Sequence, residues 1–344
     1  MDDEAPATKA KSRVTLHDVA AASGVSKSTV SRLLDDRLTR PDTPKAQHVR
    51  RIAQELGYVR DLSAANLRRG STGMIGVIVP RLTDTVMAMY YEALARAAAP
   101  LGKFTIVANT DDSPEASLRA ADALIQRGVD GLILTTARTG NAVLSDALEA
   151  RGVPFVFGLR EDGLAPAVVS DDVLGGYLAT RHLIDLGHER IAMICGPDYA
   201  TSSLNRVAGF RQAMAEAGLA IDDHLMAQST FSIESGETAA EALLARPDRP
   251  TAIFAMNDNT AIGAMSVILR AGLSVPDDIS LVGYNDIPIV SRLPVPLTTV
   301  RVPFDRLASL TVAALDEPTG PNRPRVAKVE PTMIPRKSSA RRGR

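Results

Sequence analysis

Cysteine and histidine are scarce in this chain of 344 residues, which contains one Cys and five His. The lone Cys195 excludes an intramolecular disulfide framework, and such a chain suits a reducing compartment. None of the histidines stands in an HExxH pattern or in a Cys/His cluster with metal-ligand spacing. We therefore expect no bound metal, no cofactor and no catalytic residues, and we do not expect an enzyme.

Long apolar runs and a basic leader are missing as well. No run of about 18 or more apolar residues occurs, so no membrane-spanning helix is expected. The first four residues, Met-Asp-Asp-Glu, are acidic and lack the basic-then-apolar pattern of a secretory signal. These absences predict a cytoplasmic protein without a membrane partner.

Net charge is almost absent too, at −1, but this balance hides an asymmetry. Residues 9–70 contain 13 Lys and Arg against 6 Asp and Glu, whereas residues 71–344 contain 26 against 31. A basic segment joined to an acidic remainder is typical of a nucleic-acid-binding protein. A chain of this length also has room for two or three hydrophobic cores, so we expect more than one domain.

The basic segment contains a helix-turn-helix pattern at residues 15–32. Thr15 with Asp18 three residues later indicates a helix N-terminus, and Gly24 suits its left-handed end. Ser26 is a good N-cap for a second helix, whose outward positions are polar or basic. The residues expected to contact DNA in this segment are Thr15, Lys27, Ser28, Thr29, Ser31 and Arg32.

A third short helix is predicted from Thr43 to Leu56, with Thr43 as its cap and Pro44 at its first position. Its inward face is expected to consist of Val49, Ile52, Ala53 and Leu56. Spacing alone leaves another interpretation open, a generic three-helix unit with a solvated basic face. The charge asymmetry favours the nucleic-acid interpretation.

The same residues resemble the start of a known family. The segments 14–20, 24–26 and 29–32 are similar to the DNA-binding head of LacI/GalR-family transcription regulators, and the similarity continues over nearly the whole chain. The resemblance implies a sequence-specific DNA-binding regulator, more often a repressor than an activator. It also implies a homodimer that binds a pseudo-palindromic double-stranded operator.

Residues 60–70 correspond to the hinge helix of that family. There the hinge pairs with its dimer mate in the minor groove, where a leucine wedges a base step open. By position, Leu67 matches this leucine, and Ala64 matches the small residue that lets the two helices approach. Arg60 and Asp61 stand where Pro-Asn is frequent, which puts the strength of hinge ordering in doubt. A flexible tether with an incidental leucine is the alternative.

After the linker, apolar strands alternate with Ala-rich helices. Seven near-continuous apolar runs indicate parallel strands in sheets that are covered on both faces. They are 74–79, 104–108, 131–135, 155–158, 191–195, 252–256 and 279–283. The resemblance implies an α/β body of two Rossmann-like lobes, of periplasmic-binding-protein type, joined by three crossing segments. No leucine heptads follow the last strand, so a dimer is the simpler expectation than a tetramer.

The expected domains follow from these patterns and from the resemblance. They are a disordered tail (1–13), a helix-turn-helix head (14–59), a hinge (60–70), an effector-binding and dimerisation body (71–335) and a basic disordered tail (336–344). Within the body, the N-lobe is expected at about 73–165 and 301–324, and the C-lobe at about 170–297 and 328–335. The crossing segments are placed near 160–171, 297–301 and 324–329.

Ligands of such α/β lobes bind where the carboxyl ends of the strands face a cleft. Carry-over from the family places six side chains there, namely Arg160, Ser202, Arg206, Phe231, Asn257 and Asn285. Arg206 matches the family's ligand-binding arginine, whose guanidinium offers a donor fork. Phe231 matches an aromatic residue that often stacks on a sugar or base. A structural salt bridge is the alternative role for Arg206 and for Arg160.

Departures from the family's pattern restrict the chemical class of the expected ligand. Val86 and Met87 replace an aromatic pair, which disfavours a purine, and Leu159 stands where an aspartate is frequent. Because acidic acceptors are lost while two arginines are kept, an anionic ligand is favoured within the expected class of sugar, sugar acid or sugar phosphate. The competing functions are a sugar-binding receptor without a direct DNA role and a Rossmann-type enzyme. The basic head counts against the first, and the lack of a catalytic constellation counts against the second.

Overall fold

The computed structural model describes residues 14–34, 42–59, 71–317 and 326–343. The chain divides into two compact units, a head within residues 1–72 and a body within residues 73–344. The tail at 1–13 and the hinge residues Ala64 and Leu67 lie outside the described residues, so what the sequence predicts for them stays a prediction.

Three helices form the head, α1 (Leu16–Ser23), α2 (Lys27–Leu33) and α3 (Pro44–Glu55). They begin where the sequence predicts, and α3 ends one residue before the predicted Leu56. Thr15 and Asp18 form a reciprocal capping box, and Gly24 takes the left-handed conformation at φ 64°. Ser26 caps α2 by accepting from the backbone N–H of Thr29.

The core of the head is small and lies between the three helices. Val19, Val30 and Val49 are fully buried, one from each helix. Leu56 was expected in this core but is 39% exposed, because α3 stops at Glu55 and Leu56 becomes its C-cap. Tyr58 packs against the core instead, and its N–H donates to Ala53 O at 2.8 Å.

The described residues of the body form twelve strands. In chain order these are β1 (Met74–Val79), β2 (Phe104–Asn109), β3 (Gly131–Leu134), β4 (Phe155–Gly158), β5 (Ala167–Ser170), β6 (Ile191–Cys195), β7 (Met226–Gln228), β8 (Ala252–Ala255), β9 (Ser280–Asn285), β10 (Thr298–Arg301), β11 (Val326–Val329) and β12 (Thr332–Ile334). The sequence patterns predicted seven of them; β5, β7, β10, β11 and β12 are short and were not singled out.

The helices of the body pack on the faces of these strands. They are α4 (Thr85–Ala98), α5 (Pro114–Gln126), α6 (Val143–Glu149), α7 (Asp172–Asp185), α8 (Thr201–Glu216), α9 (Ile233–Leu244), α10 (Asp258–Arg270) and α11 (Phe304–Asp316). Three 3₁₀ segments accompany them at Ala99–Leu101, Asp223–Leu225 and Pro288–Ser291.

Two six-stranded sheets make two lobes, which confirms the predicted fold class. The N-lobe sheet has the order β11-β5-β4-β3-β1-β2, and all of its strand pairs are parallel. The C-lobe sheet has the order β12-β10-β9-β8-β6-β7, and only the β10–β12 pair is antiparallel. No helix of the described residues is long and apolar enough to span a membrane.

The lobe boundaries differ from the expected ones by a few residues. β5 still belongs to the N-lobe sheet, so the first crossing follows Ser170 instead of spanning 160–171. β10 lies wholly in the C-lobe sheet, and β11 lies wholly in the N-lobe sheet. The second and third crossings are therefore the short links at 302–303 and 330–331. Strand pairing decides these limits, and pairing partners cannot be identified from the pattern of a single strand.

The basic C-terminal segment was expected to be disordered, and the structure contradicts this for residues 336–343. Ser338 is completely buried, and its hydroxyl donates to Leu281 O at 2.6 Å. Ala340 O lies 3.1 Å from Nε2 of His188, and the backbone N–H of Arg342 donates to Leu186 O. Hydroxyl and backbone groups bind this segment to the C-lobe, and the guanidinium of Arg336 itself pairs with Asp286 at 2.6 Å. A basic composition therefore did not exclude an ordered segment, because a buried acid of the C-lobe provides a partner for one of its cations.

Candidate ligand cleft and nucleic-acid surface

The outer face of α2 presents cationic side chains to solvent. Val30 anchors the helix in the core of the head, and Lys27, Ser28 and Arg32 lie exposed. Neither Lys27 nor Arg32 has an ion-pair or hydrogen-bond partner among the described residues. Such cations are available to phosphates and base edges in a major groove.

The other predicted DNA contacts are half-buried or already have hydrogen-bond partners within the head. Thr15 is exposed, but its N–H and hydroxyl both donate to Asp18 Oδ2 at 2.8 Å. Thr29 and Ser31 are half-buried, and the hydroxyl of Thr29 lies 2.9 Å from that of Ser26. Thr15 and Thr29 therefore already form hydrogen bonds within the head. All of these DNA contacts stay predictions.

The body contains a cavity of about 540 Å³ with residues of both lobes on its wall. Its lining includes all six side chains that the resemblance places there, Arg160, Ser202, Arg206, Phe231, Asn257 and Asn285. They come from the carboxyl ends of parallel strands or from the segments that follow them, as expected for an open α/β sheet. Val86, Met87 and Leu159 also line it, so aliphatic side chains stand among these polar groups.

Arg206 is held by a buried acid. Its Nε donates to Asp172 Oδ1 at 2.8 Å, and its Nη1 donates to Met256 O at 2.8 Å. Asp172 and Arg206 side chains are 3% and 8% exposed. The two residues meet because α7 and α8 approach closely at Gly176, where a Cβ would collide with the backbone of Arg206. Gly176 thus serves helix packing, whereas Gly175 leaves room for the Tyr284 side chain.

Tyr284 completes this buried group. Its ring centroid lies 3.7 Å from the guanidinium carbon of Arg206, and its hydroxyl donates to Asp172 Oδ1 at 3.0 Å. Burial raises the pKa of Asp172, and the neighbouring guanidinium opposes that rise. Arg206 cannot release its proton, and two donors meet Oδ1, so the carboxylate is the form that this geometry stabilises.

Arg160 has an acidic partner as well. Its Nη1 donates to both carboxylate oxygens of Asp112 at 2.9 Å. The Asp112 carboxylate also accepts from the hydroxyl of Tyr199 at 3.0 Å. Both predicted ligand-binding arginines therefore take part in salt bridges, which was the alternative role for each.

Tyr199 forms a link between the lobes across the cleft. It follows β6 of the C-lobe, whereas Asp112 and Arg138 belong to the N-lobe. The Arg138 guanidinium carbon lies 3.6 Å from the Tyr199 ring centroid. In addition, the N–H of Thr139 donates to Tyr199 O at 2.8 Å. We call this group the Tyr199 latch.

The loop that carries Phe231 is fixed by Asn257. The amide of Asn257 donates to Phe231 O at 3.0 Å and accepts from the N–H of Thr260 at 2.8 Å. Phe231 itself has a left-handed backbone at φ 70°, and its ring lies 5.4 Å from the guanidinium carbon of Arg160. Asn257 thus positions the aromatic side chain while both ends of its own amide are occupied.

Asp258 fixes the loop that carries Asn285. It accepts from the N–H of Ile287 at 2.8 Å and from the hydroxyl of Thr299 at 2.6 Å. Burial raises the pKa of Asp258 to about 7, and the nearby Asp286 adds to this rise. Asn285, at φ 105°, is held in a strained conformation between these contacts.

Sequence reasoning did not single out Asp112, Asp172, Tyr199 or Ser170, although all four line the cavity. A signal existed for three of them, because Asp112, Ser170 and Asp172 lie at or just beyond the carboxyl ends of β2 and β5. Tyr199 lies in the segment that follows β6 and so carries the same signal in a weaker form. Among the described residues, no group of three His, Cys, Asp or Glu side chains is suited to hold a metal ion.

A helix-turn-helix head with exposed cations, on the same chain as a two-lobed body around a cavity, defines a ligand-regulated DNA-binding protein. Residues 15–61 match the bacterial regulatory proteins of the lacI family. Residues 72–305 match the periplasmic binding proteins and sugar binding domain of the LacI family. The chain belongs to the LacI family and is a DNA-binding transcriptional regulator.

Individual relatives agree with this assignment. The chain is 36% identical over 301 residues to the HTH-type transcriptional regulator DegA of Bacillus subtilis strain 168, covering 86% of this chain and 89% of DegA. It is 34% identical to the ribose operon repressor of Escherichia coli K12, covering 88% and 92% of the two chains. The lac repressor dimer bound to operator and the anti-inducer ONPF has a TM-score of 0.83 at 28% identity, covering 95% and 99%.

Proposed function

We propose that the protein is a homodimeric repressor whose affinity for a pseudo-palindromic operator is set by a small carbohydrate in the cleft. The observation that carries this proposal is the assembly of the cavity wall from both lobes, with Tyr199 of the C-lobe bonded to Asp112 of the N-lobe. A ligand that contacts both lobes at once changes their relative position. If the two lobe positions differ in their affinity for operator, the ligand and the DNA are coupled through this two-state change.

The carbohydrate class is supported by the cavity and by the relatives. Hydroxyl, amide and guanidinium groups share the wall with aliphatic side chains and with the ring of Phe231, and this mixture of polar and apolar groups suits a small ligand with many hydroxyls. The relative named ribose operon repressor makes ribose a first probe. The operator and the dimer are supported by the similar lac repressor structure, which is a dimer on its operator.

DNA binding and ligand response are tested on the full chain. Selection from a pool of random duplexes should enrich a pseudo-palindromic site, and fluorescence anisotropy should then show an affinity that falls steeply with salt. Lys27→Ala/Arg32→Ala should weaken that binding. Enrichment of no motif, together with salt-independent binding, would leave the sugar-binding receptor as the better account.

A ligand screen completes the test. Adding ribose and other monosaccharides or disaccharides to the protein–operator complex should identify one that changes operator affinity by about 5–150-fold, the usual range of allosteric coupling. We further propose that the cleft performs no catalysis and that the protein acts in the cytoplasm with its operator. Turnover of the identified sugar would contradict the first of these statements.

A further inference from the structure

The charges on the cavity wall are unbalanced in favour of acids. Three arginines line the cavity, Arg81, Arg160 and Arg206. Five acidic side chains line it as well, Asp84, Asp111, Asp112, Asp172 and Glu234. With all of them ionised, the wall carries two more negative than positive charges. Such a wall disfavours an anionic ligand before any individual contact is considered.

The two arginines that are buried at the wall are not available as anion receptors. Asp172 accepts from Arg206 at 2.8 Å, and Asp112 accepts from Arg160 at 2.9 Å through both oxygens. A carboxylate or phosphate that approached either guanidinium would also approach the acid already bound to it. Like charges brought together in a desolvated site repel each other strongly, because water does not screen them there.

The buried polar groups of the wall that remain without partners are uncharged. Arg81 is the cation of the wall that has no acidic partner among the described residues, but it is exposed, so water and salt screen its charge. Ser170 is 4% exposed, and its buried Oγ has no hydrogen-bond partner. The Ser202 hydroxyl and the Asn285 amide line the cavity and also have no side-chain hydrogen bond to other described residues. A buried hydroxyl without a partner is costly, and a ligand hydroxyl in the cavity would satisfy it. These groups both donate and accept, which matches alcohols.

We propose that the cleft selects an uncharged polyol over the acid or phosphate of the same sugar, and that Asp172 and Asp112 are the specificity-determining residues. This inference rests on the proposed function of the cleft. In it, Arg206 and Arg160 act as neutralised donors to ligand hydroxyls, and the Ser170 Oγ accepts from or donates to one of them. The acids are positioning residues for the arginines and repel anions directly.

The test measures matched pairs of probes on the full chain by isothermal titration calorimetry. The pairs are glucose with glucuronate, galactose with galacturonate and ribose with ribose 5-phosphate, and inorganic phosphate is titrated alone. No anion should bind the wild type more tightly than its neutral counterpart. Asp172→Asn should increase the affinity for at least one anion by about tenfold or more, since it removes one repelling charge and leaves the guanidinium of Arg206 without its counter-charge.

Matched variants keep the result interpretable. Asp185→Asn removes an exposed acid that pairs with Arg181 away from the cavity, and it should leave all affinities unchanged. If Asp172→Asn does not fold, Asp112→Asn supplies the same test at Arg160. Wild-type binding of an acid or phosphate more tightly than the neutral sugar overturns the proposal. So does the absence of any gain for anions in both folded variants.

The failure of this inference is distinguishable from failure of the proposed function. Operator binding is measured separately by anisotropy and depends on the head. A chain that binds operator but prefers a sugar phosphate would contradict only the selectivity. A chain that shows the predicted selectivity without operator binding would contradict only the DNA role.

Discussion

Arginines occur in two opposite settings in this molecule. On the head, Arg32 is exposed and has no acidic partner among the residues that the structure describes. In the cleft, Arg206 and Arg160 are buried, and each is bonded to an aspartate. The same guanidinium is therefore ready to bind phosphate at one site and already neutralised at the other. What an arginine recognises therefore depends on its burial and on its partners, and the residue type alone does not decide it.

The largest expected effect concerns stability. Arg206→Met leaves Asp172 buried without its counter-charge and should reduce the free energy of unfolding of the body by about 3–5 kcal/mol. Arg32→Met should change the stability by no more than about 0.5 kcal/mol, because the side chain is exposed. Thermal and urea unfolding followed by circular dichroism measure both.

A double variant controls for the missing charge. Asp172→Leu/Arg206→Met removes both ions and should recover much of the lost stability, since an apolar pair often replaces a buried ion pair well. Equal stability of Arg206→Met and wild type would mean that water reaches the pair, and the contrast between cleft and head would fail.

The second effect is on DNA affinity, where the exposed Arg32 of the head is expected to matter more than the buried arginines of the cleft. Arg32→Ala should weaken operator binding by about 1–3 kcal/mol, or roughly 10- to 150-fold, as expected for a base or phosphate contact. Arg51→Ala is the matched control in the head, because Arg51 is exposed but paired with Glu55 at 2.7 Å. Anisotropy with a labelled operator measures both, and equal losses for the two variants would remove α2 from the interface.

The sequence largely predicted where these arginines lie, but it did not predict which acidic partners they have. The capping pattern at Thr15 and Asp18 and the apolar spacing of α3 were sufficient for the head, because short-range signals define its helix ends. The resemblance also brought all six cleft residues to one cavity. The partner of Arg206 was not predicted, since Asp172 reaches it only through the close approach of α7 and α8 at Gly176.

Two other differences between the sequence-based expectations and the structure also arise from contacts between residues far apart in the chain. Composition predicted a disordered basic tail at 336–344, but Ser338 and Ala340 bind the C-lobe through backbone and hydroxyl groups that composition does not describe. The lobe boundaries were misplaced because short strands such as β5 are assigned by their pairing. Long-range contacts of this kind have no periodic signal in the sequence.

A buried acid without a directly bonded cation provides the third test. The pKa of Asp258 is raised from 3.8 to about 7. Above a pH of about 4 the unfolded chain releases this proton, whereas the native state keeps it up to a pH of about 7. Asp258 therefore lowers stability as the pH rises between these values, by at most about 1.4 kcal/mol per pH unit.

Asp258→Asn should remove this contribution. Melting temperatures of wild type and variant, measured from pH 5 to pH 8, should diverge on the acidic side, where the protonated Asp258 stabilises the wild type most. Asp185→Asn is the control with an exposed acid. Parallel pH profiles for Asp258→Asn and wild type would show that Asp258 is ionised throughout this range.

The smallest effect is expected at the Tyr199 latch. Tyr199→Phe removes the hydrogen bond to Asp112 but keeps the ring beside Arg138, so the stability of the body should fall by about 0.5–1.5 kcal/mol. Tyr177→Phe is the matched control, because its hydroxyl donates to Glu216 at the surface of the C-lobe. Hydrogen exchange measured by mass spectrometry should show faster exchange in Tyr199→Phe at the N–H of Thr139, which donates to Tyr199 O. Unchanged exchange there would mean that the Arg138 contact holds the lobes together without the hydroxyl, which would assign the latch to the arginine of the N-lobe.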